Sequence, residues 1–335
     1  MTPLAWRWQN RPVKLFDGTT VSMPDTLSNQ QAYPQSREQK PGLGFPIARI
    51  GALIGLSSGA EVAACEGKGT GEQSLLMNLA DHLNADDVLL ADALLATWWI
   101  IERAIERGAD VVMAQHGVRI THFAHGQRLG KHDHIVQWPR PVKPRWMSAE
   151  QYAHYPAFIT MREVEINGRI LVTTLLNPNM VPPQAIGALY KMRWNIEVDF
   201  RSIKSTLEMD VLRCKSKPMV DKEIAVYFLA YNLVRWAMAK AALLVDILPR
   251  SLSFTGAKRV LAAFADQLRR TSGNQVSIMI ATVTACIATL KLPQRPSRIE
   301  PRAKKRRPKK LPLLTMPRQE ARDLIIGQRL LNLVP

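Results

Sequence analysis

The order of short apolar segments places the strongest constraint on this chain, because strand-like and helix-like patterns alternate up to about residue 115. Three β-prone segments come first, Val13 to Phe16, Ile47 to Leu56 and Glu61 to Cys65. Helical spacing follows from Glu72 to His82 and from Thr97 to Arg107, and a compact apolar strand follows each helix. Strands that alternate with helices pair in parallel through crossovers. The order βββαβαβ therefore predicts an α/β fold with a mixed five-stranded sheet covered by helices, within a first unit of residues 1–115.

The character of the sequence changes after residue 115. Residues 116–180 have loop and strand composition, with two apolar runs around Asn167-Gly168, and predict an inserted, mostly β subdomain. Pro182-Pro183 then precedes a long helical pattern. Residues 181–292 are accordingly predicted to supply the main helix of the first unit and further helices.

The end of the chain is strongly basic. Between Lys291 and Lys310, ten Lys or Arg residues accompany the single acid Glu300 and four prolines. Such a composition does not form a packed core, so residues 293–335 are predicted to be a flexible basic tail. With a formal net charge of +17, the whole chain is expected to bind a polyanion, and double-stranded DNA is the partner favoured over a membrane.

Two other classes are disfavoured by the sequence. The most apolar long segment, Ile224 to Leu244, contains Arg235 and Lys240 and predicts a buried helix rather than a membrane span. The N-terminus lacks the apolar stretch of a secretory signal, so a cytoplasmic location is expected.

Five side chains that carry chemistry share one face of the helix predicted from Gln184 to Met209. They are spaced 3, 4, 4 and 3 residues apart: Tyr190, Arg193, Glu197, Arg201 and Lys204. At 3.6 residues per turn they fall within an arc of about 80°. An apolar stripe on the adjacent arc is predicted to pack on the sheet, and it comprises Leu189, Met192, Ile196, Phe200, Ile203 and Leu207. Glu197 is therefore either part of a solvated face with ion pairs or a ligand of a hard cation among phosphate-binding residues.

Two more carboxylates directly follow predicted strands. Asp17 ends the first strand in LFDGTT, and Asp92 ends the fourth in VLLADALL. An N-cap or turn role is the alternative for each of them. Together with Glu197 they favour a catalytic site, because two Asp and one Glu at the ends of neighbouring elements can hold two Mg²⁺ (or Mn²⁺) ions about 3.5 to 4 Å apart.

The signature Tyr-x2-Arg-x3-Glu-x6-Lys is matched without a gap by Tyr190, Arg193, Glu197 and Lys204. With the phrases DGTTVSMPDT, AYPQ, GTGEQSLL, VLLAD and YNLVR, the chain resembles DDE transposases of bacterial insertion sequences, specifically the insertion-sequence-four family, over most of residues 13–240. The resemblance implies an RNase H-like (retroviral-integrase-like) fold with helices on both faces of the sheet and a β insertion between the second and third acids.

The resemblance also implies roles for individual residues. It assigns the metal to the three acids, and it places Tyr190, Arg193 and Lys204 near the phosphates of the transposon end. Arg201 joins them only through the shared helix face. Relatives use an aromatic residue of the insertion to hold an unstacked base, which makes Trp138 and Trp146 candidates for that contact, although ordinary packing is the favoured role of both.

The implied activity is DNA transposition in the bacterial cytoplasm, at the nucleoid. Water and then a 3′ hydroxyl would attack phosphorus, which cleaves the transposon ends and joins them to target DNA within a homodimeric synaptic complex. The alternatives are a catalytically impaired or truncated transposase-derived protein that only binds DNA, and a host nuclease of the same fold, which would not need the Tyr-Arg-Lys companions.

The chain departs from the family pattern at two places. Relatives carry a helical DNA-binding domain before the first acid, whereas sixteen residues precede Asp17 here, and they often have Arg where this chain has Ala93. An N-terminally truncated copy is therefore expected, with weakened recognition of the transposon ends.

Overall fold

The computed structural model describes residues 3–35, 42–67, 71–145, 147–293 and 314–331. Within these ranges one sheet has nine strands in the order β3-β2-β1-β4-β5-β9-β8-β7-β6. The strands are β1 (Val13–Ser22), β2 (Ile47–Gly55), β3 (Glu61–Gly67), β4 (Val88–Ala91), β5 (Asp110–Ala114), β6 (Gln127–Gly130), β7 (Asp133–Pro139), β8 (Phe158–Ile166) and β9 (Arg169–Thr173).

Ten α-helices occur in the described ranges, most of them in the first unit and in the C-terminal part. They are α1 (Leu27–Ala32), α2 (Glu72–Leu79), α3 (Trp98–Glu106), α4 (Ala149–His154), α5 (Pro183–Lys191), α6 (Asn195–Arg201), α7 (Lys217–Leu244), α8 (Phe254–Arg270), α9 (Asn274–Ala288) and α10 (Arg318–Leu331). The last helix lies in the tail that was predicted to be flexible. The basic run from residue 294 to 313 lies outside the described residues.

The mixed character of the sheet is as predicted. β1 pairs in parallel with β4, which pairs in parallel with β5, while β2 pairs antiparallel with both β1 and β3. Two details differ from the sequence prediction. β1 continues past Phe16 to Ser22, and the short helix α1 separates it from β2.

The prediction of a five-stranded sheet is wrong, because the strands of the insertion continue the same sheet. β9 pairs antiparallel with β5, with Met113 opposite Val172, and β8, β7 and β6 follow outward. The physical reason is the edge of β5: without β9 its backbone amides and carbonyls would lack partners on that side. The insertion therefore closes one edge of the first five strands and is continuous with them.

Alternate residues of the central strands enter two separate cores. Leu89 packs with α2 and α3 on one face of the sheet, whereas Leu90 packs with α6, α7 and α9 on the other. This alternation follows from the pleat of a strand, which directs successive side chains to opposite faces. Helices consequently cover both faces of the sheet beside β1 and β4.

The predicted helix from Gln184 to Met209 is present as a segmented stretch. A 3-10 turn at Met192–Trp194 joins α5 to α6, and a π-helical turn at Ser202–Thr206 follows α6. Most of the predicted apolar stripe is buried or partly buried, but Met192 is 46% exposed. Met192 begins the 3-10 turn, whose tighter winding of 3.0 residues per turn changes the direction of its side chain relative to a regular α-helix.

No helix in the described ranges combines the length and the apolar character that crossing a bilayer requires. The segment predicted to be a buried helix, Ile224 to Leu244, forms the second part of α7.

Candidate active site

Asp17 and Asp92 occupy matching positions on neighbouring parallel strands. The β1–β4 pairing runs in register from Val13 opposite Val88 to Leu15 opposite Leu90. Asp17 and Asp92 each follow the last pair by two residues, where β4 has ended and β1 continues. Both residues therefore lie just beyond the parallel pairing of the two strands, Asp92 after the end of β4 and Asp17 in the middle of β1.

Glu197 approaches these two residues from the face of the sheet on which α6 and α7 pack. Its helix, α6, packs against β1, and the guanidinium of Arg193 lies between the two elements. Nη1 of Arg193 is 3.7 Å from Oδ2 of Asp17, and Nη2 is 3.4 Å from Oε1 of Glu197. Arg193 is thus a shared counter-ion for the two acids.

Asp17 lies in an environment that opposes its negative charge. Burial raises the pKa of Asp17 to about 6, the backbone N–H of Gly18 and the Arg193 guanidinium act in the opposite direction, and the charges of Glu72 and Asp92 reinforce the rise. The Gly18 N–H donates to Oδ1 of Asp17 across 2.8 Å. Burial is the largest of these influences on the pKa of Asp17, and the charge of Asp92 adds to the rise while Arg193 offsets part of it.

Asp92 also has a local structural role. Its Oδ1 accepts a hydrogen bond of 2.9 Å from the Leu94 amide and caps the 3-10 turn Ala93–Leu95. Asp92 therefore has the N-cap role that the sequence analysis gave as the alternative to metal binding. One carboxylate oxygen accounts for the cap, and the other is free of any hydrogen bond found among the described residues.

The donor chemistry of the three acids suits a hard divalent cation, which prefers carboxylate oxygens. Within the described parts of the chain, however, no group of three or more His, Cys, Asp or Glu side chains is arranged so that it could hold an ion as it stands. The guanidinium of Arg193 lies between Asp17 and Glu197. The three acids therefore fit a hard cation in their chemistry, while Arg193 is the positive charge that lies between two of them in this structure.

The remaining members of the helix face differ in their surroundings. Tyr190 is buried, Arg201 is exposed, and Nζ of Lys204 donates to the backbone carbonyl of Thr20 across 2.8 Å. Lys204 therefore ties the π-helical turn to β1 three residues after Asp17. The side chains predicted to share one helix face therefore have different surroundings: Tyr190 is buried, Lys204 contacts β1, and Arg201 faces solvent.

An acid that the sequence analysis did not single out anchors the helix of Glu197. Asp199 is fully buried and accepts hydrogen bonds from Nη2 of Arg235 at 2.6 Å and from Nη1 and Nη2 of Arg250 at 2.9 and 2.7 Å. Nε of Arg235 also donates to the hydroxyl of Tyr231, which donates to the Gly59 carbonyl. The sequence could have indicated the role of Asp199 through its position. A residue two places after Glu197 projects about 200° away from it on a helix, which is toward the interior of the protein.

The two tryptophans considered as base contacts have different outcomes. Trp138 is 2% exposed, its indole donates to Oε1 of Glu163 across 2.7 Å, and the Arg119 guanidinium stacks on its ring. The side chain of Trp138 is part of the hydrophobic core, and Trp138 is therefore a packing residue. Trp146 lies outside the described residues. Trp194, which directly follows Arg193, is 57% exposed and was not singled out.

Three comparisons with known proteins bear on the identity of the fold and site. The sequence model of the family described as "Transposase DDE domain" matches residues 8–233. The transposase InsG for insertion sequence element IS4 of Escherichia coli (strain K12) is 27% identical over 320 residues, which cover 91% of this chain and 70% of InsG. The transposase for insertion sequence element IS421 of Escherichia coli is 32% identical over 91 residues, which cover 27% of this chain and 22% of that protein.

A solved structure also shows a partial likeness. The cryo-EM structure of a piggyBac transposase synaptic complex with hairpin DNA aligns with a TM-score of 0.46 at 8% identity, over 86% of this chain and 59% of the piggyBac chain.

Proposed function

The chain belongs to the family of transposases with a DDE domain, and from that membership we propose that it cleaves and joins the DNA of an insertion sequence at the edge formed by Asp17, Asp92 and Glu197. The observation that carries the proposal is the matched register of Asp17 and Asp92 on β1 and β4, with Glu197 linked to Asp17 through Arg193. In the same proposal the first five strands and their helices form an RNase H-like core.

The three acids are proposed to hold two divalent cations, Mg²⁺ or Mn²⁺. When bound, such cations supply activation of the attacking oxygen and stabilisation of charge on the phosphate. The placement of Asp17 and Asp92 on adjacent parallel strands, with Glu197 linked to Asp17 through Arg193, supports this assignment, because carboxylate oxygens are the ligands that a hard cation prefers.

The cations of the helix face are proposed to bind the DNA. Arg193 has a planar guanidinium that can exchange carboxylate partners for a phosphate, and Arg201 presents an exposed charge on the same face. Lys204 is held beside β1 by its bond to Thr20, and Tyr190 supports the same helix from the buried side. The substrate is double-stranded DNA, at the ends of the element and at its target, and we propose a homodimer at the bacterial nucleoid.

The experiment compares DNA nicking with DNA binding. The full chain is incubated with Mn²⁺ and a supercoiled plasmid that carries the ends of its own insertion sequence, and binding is followed by gel shift. Glu197→Gln keeps the shape of the side chain and removes the charge that a hard cation needs, so nicking should be lost while DNA affinity persists or rises. Glu208→Gln, which neutralises an exposed acid at the end of the same helical stretch, should nick as the wild type does.

Two outcomes would overturn the proposal. Equal nicking by the wild type and Glu197→Gln would leave Glu197 as an ion-pair residue only. A wild type that binds the plasmid but never nicks it would favour the alternative of a DNA-binding protein derived from a transposase.

A further inference from the structure

The long helix α7 is apolar on both its inner and its outer face. The inner face packs against α8, α9 and the sheet, and its buried side chains include Ile224, Tyr231 and Met238. The outer face is open to solvent. A helix that is apolar all round is ordinarily buried on every side. The open face of α7 is therefore an exception within this fold.

The open face is a continuous stripe of large side chains. Its six members are between 54% and 64% exposed, and together they are called the outer stripe: Val226, Leu229, Leu233, Trp236, Leu243 and Leu244. They fall within an arc of about 100° and extend over about 27 Å of the helix. Single exposed apolar residues are ordinary, whereas a contiguous patch of this kind marks an interaction surface.

The charges in the outer stripe constrain what can cover it. Two lysines lie on the same face, Lys222 before the stripe and Lys240 within it, and Nζ of Lys240 is 5.7 Å from the centre of the Trp236 ring. A second copy that packed in parallel would set each lysine against its own counterpart. Like charges that face each other disfavour such a pair.

An antiparallel pair of α7 helices avoids this repulsion. If a two-fold axis passes beside Leu233, Lys240 of one copy faces Val226 of the other. Lys222 then lies beside the end of the other helix, where Asp246 is exposed and follows the last turn. The antiparallel arrangement therefore brings apolar residues together along the centre and opposite charges together at the ends.

The size of the outer stripe is sufficient for a dimer. The exposed parts of its six side chains amount to roughly 600 Å² per copy, near the about 800 Å² that each partner of a standard interface buries. The aliphatic stems of the two lysines add to this area. An interface at the small end of the range is expected to give a dissociation constant in the micromolar range.

We propose that the outer stripe of α7 is the surface through which two copies of this chain associate, antiparallel about Leu233. The inference rests on the homodimer of the proposed function and gives that homodimer its surface. Arg235 lies on the opposite face of α7 and binds Asp199 of α6. The stripe therefore faces away from the helix that carries Glu197, and the dimer does not cover the candidate active site.

The first test is sedimentation velocity of the full chain without DNA at increasing protein concentration. The wild type should pass from monomer to dimer in the micromolar range. Leu233→Lys should raise the dissociation constant at least about tenfold, because the two-fold axis sets the two new ammonium groups against each other. The matched control is Val118→Lys, which alters an 83% exposed side chain between β5 and β6 and should dimerise as the wild type does.

The second test determines the direction of the pair by cross-linking with a short bismaleimide. Leu233→Cys should link to itself. Leu229→Cys and Trp236→Cys should link to each other in a mixture more than either links to itself, because antiparallel helices set these positions opposite one another. The wild type with its three cysteines gives the background. Leu229→Cys that links mainly to itself would indicate a parallel pair and overturn the arrangement.

Two other results would overturn the inference. One is a dimer that Leu233→Lys leaves unchanged, with folding checked by circular dichroism, since the copies would then associate elsewhere. The other is a wild type that stays monomeric at every concentration. A monomer that sediments with phosphatidylcholine vesicles, and loses this binding in Leu233→Lys, would assign the outer stripe to a lipid surface instead.

These outcomes are separate from those of the proposed cleavage. Glu197→Gln should dimerise as the wild type does, because its side chain lies outside the outer stripe. A wild type that is monomeric but nicks end DNA would leave the proposed cleavage standing and the inference wrong. A wild type that dimerises through the stripe but never nicks would leave the inference standing and the proposed cleavage wrong.

Discussion

Nη2 of Arg235 donates to Oδ1 of Asp199 across 2.6 Å, and both side chains are almost completely removed from water. The pair joins α7 to the helix that presents Glu197 two residues earlier. The Arg250 side chain also pairs with Asp199, and its Nη2 donates to the backbone carbonyl of Gly55, the last residue of β2. Arg250 thereby links the end of β2 to this cluster. The position of Glu197 beside β1 consequently depends on a buried acid that takes no part in the proposed chemistry.

Asp199→Asn should lower the free energy of unfolding by about 3–5 kcal/mol, because two cations would remain buried without their counter-charge. Urea unfolding followed by circular dichroism measures the change. Asp81→Asn removes an exposed partner of Arg103 and should cost no more than about 1 kcal/mol. Similar losses in the two variants would show that Asp199 is not an anchor.

Arg193→Ala should retain or increase Mn²⁺ affinity, because it removes the cation that lies between Asp17 and Glu197. Binding to end DNA should fall by about tenfold through the loss of a charge-assisted phosphate contact. Lys204→Ala should also weaken DNA binding but without a gain in Mn²⁺ affinity, since its ammonium is bonded to the Thr20 carbonyl. Loss of Mn²⁺ binding in Arg193→Ala would contradict the counter-ion role.

Glu102 makes the stability of α3 depend on pH. Burial raises the pKa of Glu102 to about 7, the charge of Glu106 adds to the rise, and Arg103 opposes it. Oε2 of Glu102 is buried without a hydrogen-bond partner among the described residues. The folded chain therefore holds this proton more tightly than the unfolded chain, and stability should fall as pH rises from about 4.5 to 7.

Glu102→Gln should remove that fall, which we expect to be on the order of 2 kcal/mol. Urea unfolding at pH 5 and at pH 8 measures it, and Glu150→Gln, which removes an exposed acid of α4, serves as the control. A variant whose stability changes with pH as steeply as the wild type would exclude Glu102 as the source.

The basic run of the tail should contribute non-specific affinity for DNA. Replacing Lys304, Lys305, Arg306 and Arg307 by Gln removes four positive charges from residues outside the described ranges. Each phosphate contact that is lost should flatten the slope of log affinity against log salt concentration by about 0.9. An unchanged slope on both end DNA and unrelated DNA would show that this run does not contact the backbone.

Local patterns predicted much of what lies near the site. The alternation of strands and helices predicted a mixed sheet with Asp92 directly after its strand, whereas Asp17 lies in the middle of β1 and not at its end. Helical spacing placed Arg193 and Glu197 on one side of their helix. These relationships depend on residues a few positions apart and on the handedness of the crossover connections. Both follow general physical rules, so they can be predicted from the sequence.

Relationships between distant segments were not accessible from the same patterns. The pairing of β9 with β5, which makes the sheet nine-stranded, depends on which edge the insertion covers. The contact of Glu72 with Gly18 and the burial of Asp199 against Arg235 depend on how helices pack on opposite faces. Ordinary packing was favoured for Trp138 from the sequence, but its indole bond to Glu163 and the stacking of Arg119 depend on distant segments.

The most direct test of the central claim asks whether the three acids act as one unit. Initial rates of Mn²⁺-dependent nicking of end DNA are measured for Asp17→Asn, Asp92→Asn, Glu197→Gln and the triple variant, each checked for folding by circular dichroism. Groups that act together are strongly non-additive, so each single change should reduce the rate by at least roughly 10³-fold and the triple variant should be little worse than any single one. A single variant that nicks at the wild-type rate, or losses that multiply across the three positions, would contradict the account.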